Sequence, residues 1–519
     1  MRRFISVSKH MPGRHSSYAA GLFNFKIVPD EMFPYPCRKV DGDEAENLQL
    51  LLEDVRKNGS TLTNLYGARI STEYGGMDLG HTAHALIYEE VGAKCNADML
   101  SLIGHSGMCT YLLSAVGDKS LKGEYLTAMS DGSVVMGWAV EESNGSDFSM
   151  TSTKASLRDD KYVLTGEKHC FNAAKATHFL VLGKTFTQIV AEEGATTVER
   201  LSFFICAKDA PGVKVVGNSV TMENTPARCA VGVVGEGFKN AMITLFTEQY
   251  LYTASLLGIM KRILQILGES NAGEGAGGLI GSFACFVYAM ESTIYALAAI
   301  ADTPVEDSLL ECTLTAAFTQ STVTKLLKDL EISIPPSVQL EECISCARSI
   351  LNQTEQDHFL YAAAVCCGIE DYGLFFQNAS TLQVMQARLL RSLGVRDRIP
   401  IKNVRNASLI DEVVVTFGNA VETTFVRSGS HVQYQQLLLD RLGEAASLIY
   451  AASAVASRAS LCVAKGLPSL ELEESLAACF VSSAVSRSRV LCEEVCNVGK
   501  TADDILRRIA LDICEDALQ

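Results

Sequence analysis

The feature that most constrains this chain is a change of periodicity near its middle. Residues from about 131 to 235 break into short β-branched or aromatic runs between polar turns: VVMGWAV, KYVLTGEKH, HFLVLG, LSFFIC and VKVVG. Runs of this kind read as antiparallel strands. On both sides the spacing of apolar residues is helical instead. It shows upstream in ENLQLLLEDV and HTAHALIYEEVG, and downstream in FKNAMITLFTEQYLYTASLLGIMKRILQIL, the clearest helix of the chain. A polar stretch with Pro400 then precedes another Ala/Leu/Ser-rich helical block. The order predicts an α+β protein with helical residues 18–130, a β domain at 131–235, a helical bundle at 236–396, a linker at 397–412 and an extra helical domain at 413–519.

Its 519 residues leave room for two or three domains. With 48% hydrophobic and 20% charged residues, a disordered tail, a collagen-like fibre and a disulfide-stapled mini-protein are excluded. Acids outnumber bases, 60 to 44, for a net charge of −16. Such a chain lacks the excess cations that broad nucleic-acid binding requires. No uninterrupted apolar run approaches the roughly eighteen residues of a spanning helix, so no transmembrane segment is expected. Residues 1–17 carry Arg2, Arg3, Lys9 and Arg14, several serines and no acid. That is the pattern of a mitochondrial transit peptide, the competing reading being a merely basic N-terminus.

The 17 cysteines are scattered, as suits reduced, buried thiols. Cys343-Ile344-Ser345-Cys346 is a lone CxxC with no second pair and no nearby histidines, so it reads as structural and no metal site is expected. The Gly-rich residues 273–278 lack the Gly-Lys-Ser/Thr ending of a phosphate loop and follow a helix, as a connector would.

Several ordered motifs carry a resemblance. Glu73-Tyr74-Gly75-Gly76, then Glu141 with Gly145-Ser146-Asp147, then Tyr162-Val163-Leu164-Thr165-Gly166-Glu167-Lys168, then Gly235-Glu236-Gly237-Phe238, and finally Ser457-Arg458-Ala459-Ser460 lie in this order along the chain. With Phe33-Pro34-Tyr35-Pro36 near the start, this series resembles the acyl-CoA dehydrogenase family. The subgroup it looks like holds the very-long-chain enzyme and its relative in respiratory complex I assembly. The resemblance implies the family fold: an N-terminal helical domain, a middle antiparallel β domain and a C-terminal four-helix bundle, here followed by the extra helical domain. It also implies FAD, an acyl-CoA thioester substrate, a mitochondrial matrix or matrix-face location and a homodimer.

The family chemistry needs a carboxylate base over the acyl α-carbon, donors for the enolate oxygen and an oriented flavin. Leu393 occupies the usual base position of the resembling motif, and leucine cannot accept a proton. An alternative family position for the base corresponds to Glu248, although Gln249 replaces the arginine that follows it there. The competing readings place Glu248 on a wet helix stripe or in a local ion pair. The flavin-facing positions are altered too: Val140 stands for threonine, Glu142 for proline, and Cys170-Phe171-Asn172 for Trp-Ile-Thr/Ser. Gly145, Ser146 and Asn172 retain donors for FAD, while the altered positions beside them weaken its retention. His105 reads as a satisfied interior histidine. These substitutions predict a structural subunit or assembly factor of a mitochondrial complex, with other mitochondrial proteins as partners. The alternatives are an active long-chain dehydrogenase with Glu248 as base, and a protein that binds acyl-CoA without oxidising it.

Overall fold

In the computed structural model, helix α1 spans Tyr18–Asn24, α2 Gly42–Asn58, α3 His81–Ala93 and α4 Thr110–Val116, with a π-helical turn at Ile103–Cys109 leading into α4. The structure describes residues 17–24, 27–58, 62–143, 148–191, 194–269, 277–303, 308–335, 337–354, 357–370, 399–401, 404–497, 505–506, 508–510 and 512–513. Eight strands follow α4: β1 Met136–Ala139, β2 Lys154–Arg158, β3 Lys161–His169, β4 His178–Ala191, β5 Gly194–Ala207, β6 Val213–Val216, β7 Ser219–Pro226 and β8 Cys229–Val231. The chain then returns to helices: α5 Gly237–Thr247, α6 Gln249–Glu269, α7 Gly277–Ala301, α8 Leu309–Ser333, α9 Val338–Leu351, α10 Asp357–Gly368, α11 Ser408–Ser428, α12 Gln436–Lys465 and α13 Leu470–Cys496. The α+β order expected from the periodicity is the one the chain adopts.

The strands form one sheet in the order β6-β7-β3-β2-β4-β5-β8, with β1 added against β4. Local chemistry sets its hairpins. Asp159 and Asp160 hold φ of 48° and 59° between the paired residues Arg158 and Lys161. Two consecutive positive φ values are what a two-residue hairpin turn of matching twist demands. Pairing is antiparallel except at β1–β4 and β2–β4, which are parallel. The antiparallel β domain expected from the sequence is therefore present, with two parallel neighbours that the sequence reading did not anticipate. The β2–β3 hairpin intervenes between β1 and β4, and its length permits the crossover that parallel neighbours need. Phe179, Val181, Phe204, Val220 and Met222 fill the sheet's core with Cys170, Ala155 and Leu164.

The elements gather into two units. One comprises residues 39–263 and 337–354, the other residues 1–38, 264–336 and 355–519. In the latter, the Ser457-Arg458-Ala459-Ser460 motif has a structural task. The Ser457 hydroxyl donates to the Met32 carbonyl at 2.5 Å, and Tyr18 Oη donates to Ser453 Oγ at 2.7 Å. Arg458 Nη1 pairs with Glu291 at 2.7 Å, Nε lies 3.4 Å from Glu473, and the guanidinium stacks 4.5 Å from the Tyr288 ring centre. These bonds tie α12 to α7, α13 and the segment after α1.

Three stretches, Met99–Val116, Gly277–Ala301 and Gln436–Lys465, are long and apolar enough to cross a membrane by length and composition. The sequence expectation that no segment qualifies is therefore too strict. Buried shares of 67%, 78% and 72% of their apolar windows account for that character through packing within the chain.

Candidate functional site

Glu248 ends α5 with φ −85° and ψ 0°, immediately before α6 begins. This break in the helical path turns the carboxylate into the interior of the unit formed by residues 39–263 and 337–354, where Glu248 is 0% exposed. The wet-stripe reading of Glu248 is therefore wrong. Its Oε2 accepts a short bond from Arg69 Nη1, a residue 179 positions away, so the ion-pair reading holds but the partner is not local. Oε1 has no hydrogen-bond partner among the described residues.

Arg69 is delivered by a loop that the Glu73-Tyr74-Gly75-Gly76 motif builds. Gly75 turns at φ 80°, and Gly76 lies so close to Ile70 that a Cβ would stand 1.9 Å from the Ile70 carbonyl oxygen. Only glycine fits both demands. The loop then folds back on itself, with Met77 N–H donating to Gly67 O and Leu79 N–H to Ala68 O, both at 2.9 Å. The guanidinium lies 5.5 Å from the Tyr111 ring centre and 3.4 Å from His81 Nε2. Burial works against the Arg69 charge, but the adjacent Glu248 carboxylate outweighs it and lifts the guanidinium above the ordinary arginine value. On the far side, a Cβ on Gly107 would stand 2.5 Å from Leu251 and 3.4 Å from Glu248 Oε2. The π-helical turn is packed directly against the pair. The arrangement holds two opposite charges together by a charge-assisted bond inside a buried region, on Oε2 alone.

A second buried pair lies in the β sheet. Gly166, at φ 155°, sits at a bulge where a Cβ would meet Thr153 Oγ1 at 2.4 Å. The bulge marks the Tyr162–Lys168 motif, and two residues on, Lys168 is fully buried. Lys168 Nζ donates to Glu142 Oε1 at 2.8 Å and to the Val140 carbonyl at 3.0 Å. Glu142 also accepts from Ser152 N–H (2.7 Å), Ser152 Oγ (2.5 Å), Thr153 N–H (3.0 Å) and Thr153 Oγ1 (2.8 Å). Burial alone would raise the Glu142 carboxyl; Lys168 and the Ser152 and Thr153 donors outweigh it and hold it down at about 2. A carboxyl depressed from 4.5 to about 2 stabilises the fold above pH 4.5, and that contribution disappears as pH falls towards 2. Denaturant unfolding at stepped pH is expected to show wild type losing more stability over this window than Glu142→Gln.

Of the remaining positions marked by the sequence, those among the described residues are closed. Val140, Cys170 and Asn172 are 1%, 0% and 5% exposed. Asn172 Nδ2 donates to the Met136 carbonyl at 3.3 Å, and its Oδ1 accepts the Cys170 thiol at 3.1 Å. A Cβ on Gly137 of β1 would lie 2.8 Å from Cys170 Sγ and 3.1 Å from Asn172 Oδ1. Both side chains are thus pressed onto β1 and bonded within the chain. His105 accepts the Met136 N–H at 2.9 Å, and burial lowers it to about 4, so it is a neutral interior histidine. Gly145, Ser146, Leu393, residues 1–16 and most of the Gly-rich run, residues 273–276, lie outside the described residues. Sequence reasoning missed Arg69, His81 and Tyr111, because no linear spacing links them to Glu248.

Two domain profiles match the chain. "Acyl-CoA dehydrogenase, N-terminal domain" covers residues 46–133, and "ACAD9/ACADV, C-terminal domain" covers residues 403–518. The very long-chain specific acyl-CoA dehydrogenase, mitochondrial, of Rattus norvegicus is 24% identical over 562 residues, spanning 91% of this chain and 83% of that protein. The chain thus carries an acyl-CoA dehydrogenase N-terminal domain and an ACAD9/ACADV C-terminal domain, and resembles the very-long-chain enzyme over most of its length. The Homo sapiens very long-chain specific enzyme is likewise 24% identical, over 93% of this chain and 85% of its own length. Among solved structures, the acyl-CoA dehydrogenase of Bacillus anthracis complexed with FAD superposes with a TM-score of 0.72 at 17% identity, covering 98% of this chain and 91% of that one. This likeness shows the fold. The Bacillus anthracis protein is complexed with FAD; here Val140, Cys170 and Asn172, the positions that the family resemblance assigns to the flavin, are buried, and Cys170 and Asn172 are bonded within the chain.

Proposed function

We propose that this acyl-CoA-dehydrogenase-like chain is catalytically silent and serves as a structural subunit or assembly factor of a mitochondrial complex, respiratory complex I being the first to test. One observation carries the reading: the Glu248 carboxylate, the candidate base, is committed to a buried ion pair with Arg69. The closed packing of Cys170 and Asn172 supports it, since the chain retains its scaffold motifs as packing devices while the side chains that would serve a flavin are used internally. The mitochondrial assignment is supported by the basic, acid-free residues 1–17 and by the mitochondrial very-long-chain relatives. A homodimer with a docking surface for another protein suits the C-terminal helical region. There Ile505, Leu506, Ile509 and Ile513 are 58%, 51%, 47% and 62% exposed, an apolar set at near-helical spacing.

The active-dehydrogenase reading draws on the unpartnered Glu248 Oε1, which is free to accept a bond. It ranks second because the other oxygen is engaged by Arg69 and the flavin-side positions Cys170 and Asn172 are bonded to one another. The full-length protein, isolated from mitochondria under mild conditions, is expected to migrate within a larger assembly and to be colourless. Migration solely as a free flavin-bearing dimer that reduces dye with long-chain acyl-CoA would overturn the proposal.

A further inference from the structure

Helix α9 carries Cys343 and Cys346 three positions apart, on one face. Cys95, 248 positions upstream of Cys343, lies against that face: its Sγ is 3.7 Å from Cys343 Sγ, and Cys346 follows three residues further along the helix. The CxxC therefore has a third thiol that its sequence neighbourhood does not reveal. Cys95 sits just past the end of α3 with φ 48°, where glycine is favoured, and its N–H bonds Gly92 O at 2.8 Å. A β-carbon is tolerated there at a conformational cost, and the side chain it carries points at α9. Cys95 and Cys346 are partly exposed, whereas Cys343 is buried. Among the described residues no cluster is placed to hold a metal ion, which leaves thiol chemistry.

We propose that Cys95, Cys343 and Cys346 form a peroxide-responsive thiol site in which Cys346 is oxidised and Cys95 closes a disulfide onto α9. The Cys346 thiolate attacks one oxygen of a peroxide and the O–O bond breaks. The departing oxygen leaves as hydroxide or alkoxide and takes a proton from water, while Cys346 becomes a sulfenic acid. The Cys95 sulfur then attacks the Cys346 sulfur, the S–O bond breaks, and the leaving hydroxide takes the Cys95 proton to form water. Two thiols lose two electrons and the peroxide gains two. The order of events follows from access: Cys346 is partly exposed and open to a peroxide, whereas Cys343 is buried. The neighbouring Cys95 also lowers the Cys346 thiol below the ordinary cysteine value, which favours the thiolate that attacks. Cys95 is pushed up to about 12, because its bond to Cys343 is outweighed by the neighbouring Cys346 and by burial, so it keeps the proton that the second step expels. Cys343, next to Cys95, is placed to exchange onto the new disulfide, and a dithiol reductant would reverse the cycle.

The test uses the reduced full-length protein, titrated with hydrogen peroxide, thiol-blocked and mapped by mass spectrometry. A Cys95–Cys346 linked peptide is expected to form before the exposed Cys37 is oxidised. Cys95→Ser is expected to leave Cys346 as a sulfenic acid trapped by dimedone, and Cys346→Ser to abolish linkage of Cys95 to α9. Oxidation of Cys37 at the same dose with no link from Cys95, or a Cys95–Cys343 link forming at the wild-type rate in Cys346→Ser, would overturn the proposal.

Discussion

Replacing Glu248 by Gln is expected to cost about 3–5 kcal/mol of folding stability, because it strands the Arg69 guanidinium without a counter-charge in the interior. The side-chain exposures of Arg69 and Glu248 are 14% and 0%, so little water is at hand to take over from the lost partner. Arg69→Met is expected to cost a similar amount by leaving the carboxylate alone. Changing both, Arg69→Met with Glu248→Leu, is expected to recover most of the loss, since removing a buried pair together is often near neutral. Denaturant unfolding of the two single variants and the double variant gives the coupling energy directly. A poised base behaves otherwise: the near-isosteric Gln would leave folding unchanged and abolish turnover. That pattern would refute the ion-pair account of Glu248.

Cys170→Trp, which restores the residue that the family resemblance places there, is expected to destabilise the sheet rather than open a flavin site. Cys170 is 0% exposed and packs with Ala139, Ala155, Phe179 and Val181. Forcing extra methylenes into such a core costs about 1–3 kcal/mol, and an indole adds far more volume than that. The Asn172 bond to the Cys170 thiol is lost as well. The variant is expected to unfold at lower denaturant than wild type and to bind no more FAD, read by unfolding curves and equilibrium dialysis. Wild-type stability together with newly gained flavin would show that the site had only been narrowed.

Much of the scaffold was legible before any coordinates. The switch of hydrophobic period near residues 131 and 235 marks where the sheet starts and stops, with β1 opening at Met136 and β8 closing at Val231. The family motifs were legible too, though their task is backbone geometry: Gly76 beneath Ile70, Gly166 against Thr153. The site was harder, and for a physical reason. Periodicity reports which face of an element is buried; it carries nothing about which distant residue meets that face. Glu248 stood out as an acid in an apolar helix, yet its cation lies 179 positions away in a loop that no helical pattern marks. Cys95 and the CxxC are separated in the same way. The Glu142–Lys168 pair was half visible. Both positions were noted for their motifs, but only the bulge at Gly166 shows that they meet.

The most direct measurement is the flavin content of the full-length protein, with dye reduction by long-chain acyl-CoA followed in excess FAD. Purified protein is predicted to show no visible flavin band, no stoichiometric FAD after dialysis and no turnover. One tightly held FAD per chain, with acyl-CoA-dependent reduction that Glu248→Gln abolishes in a still-folded protein, would contradict the account.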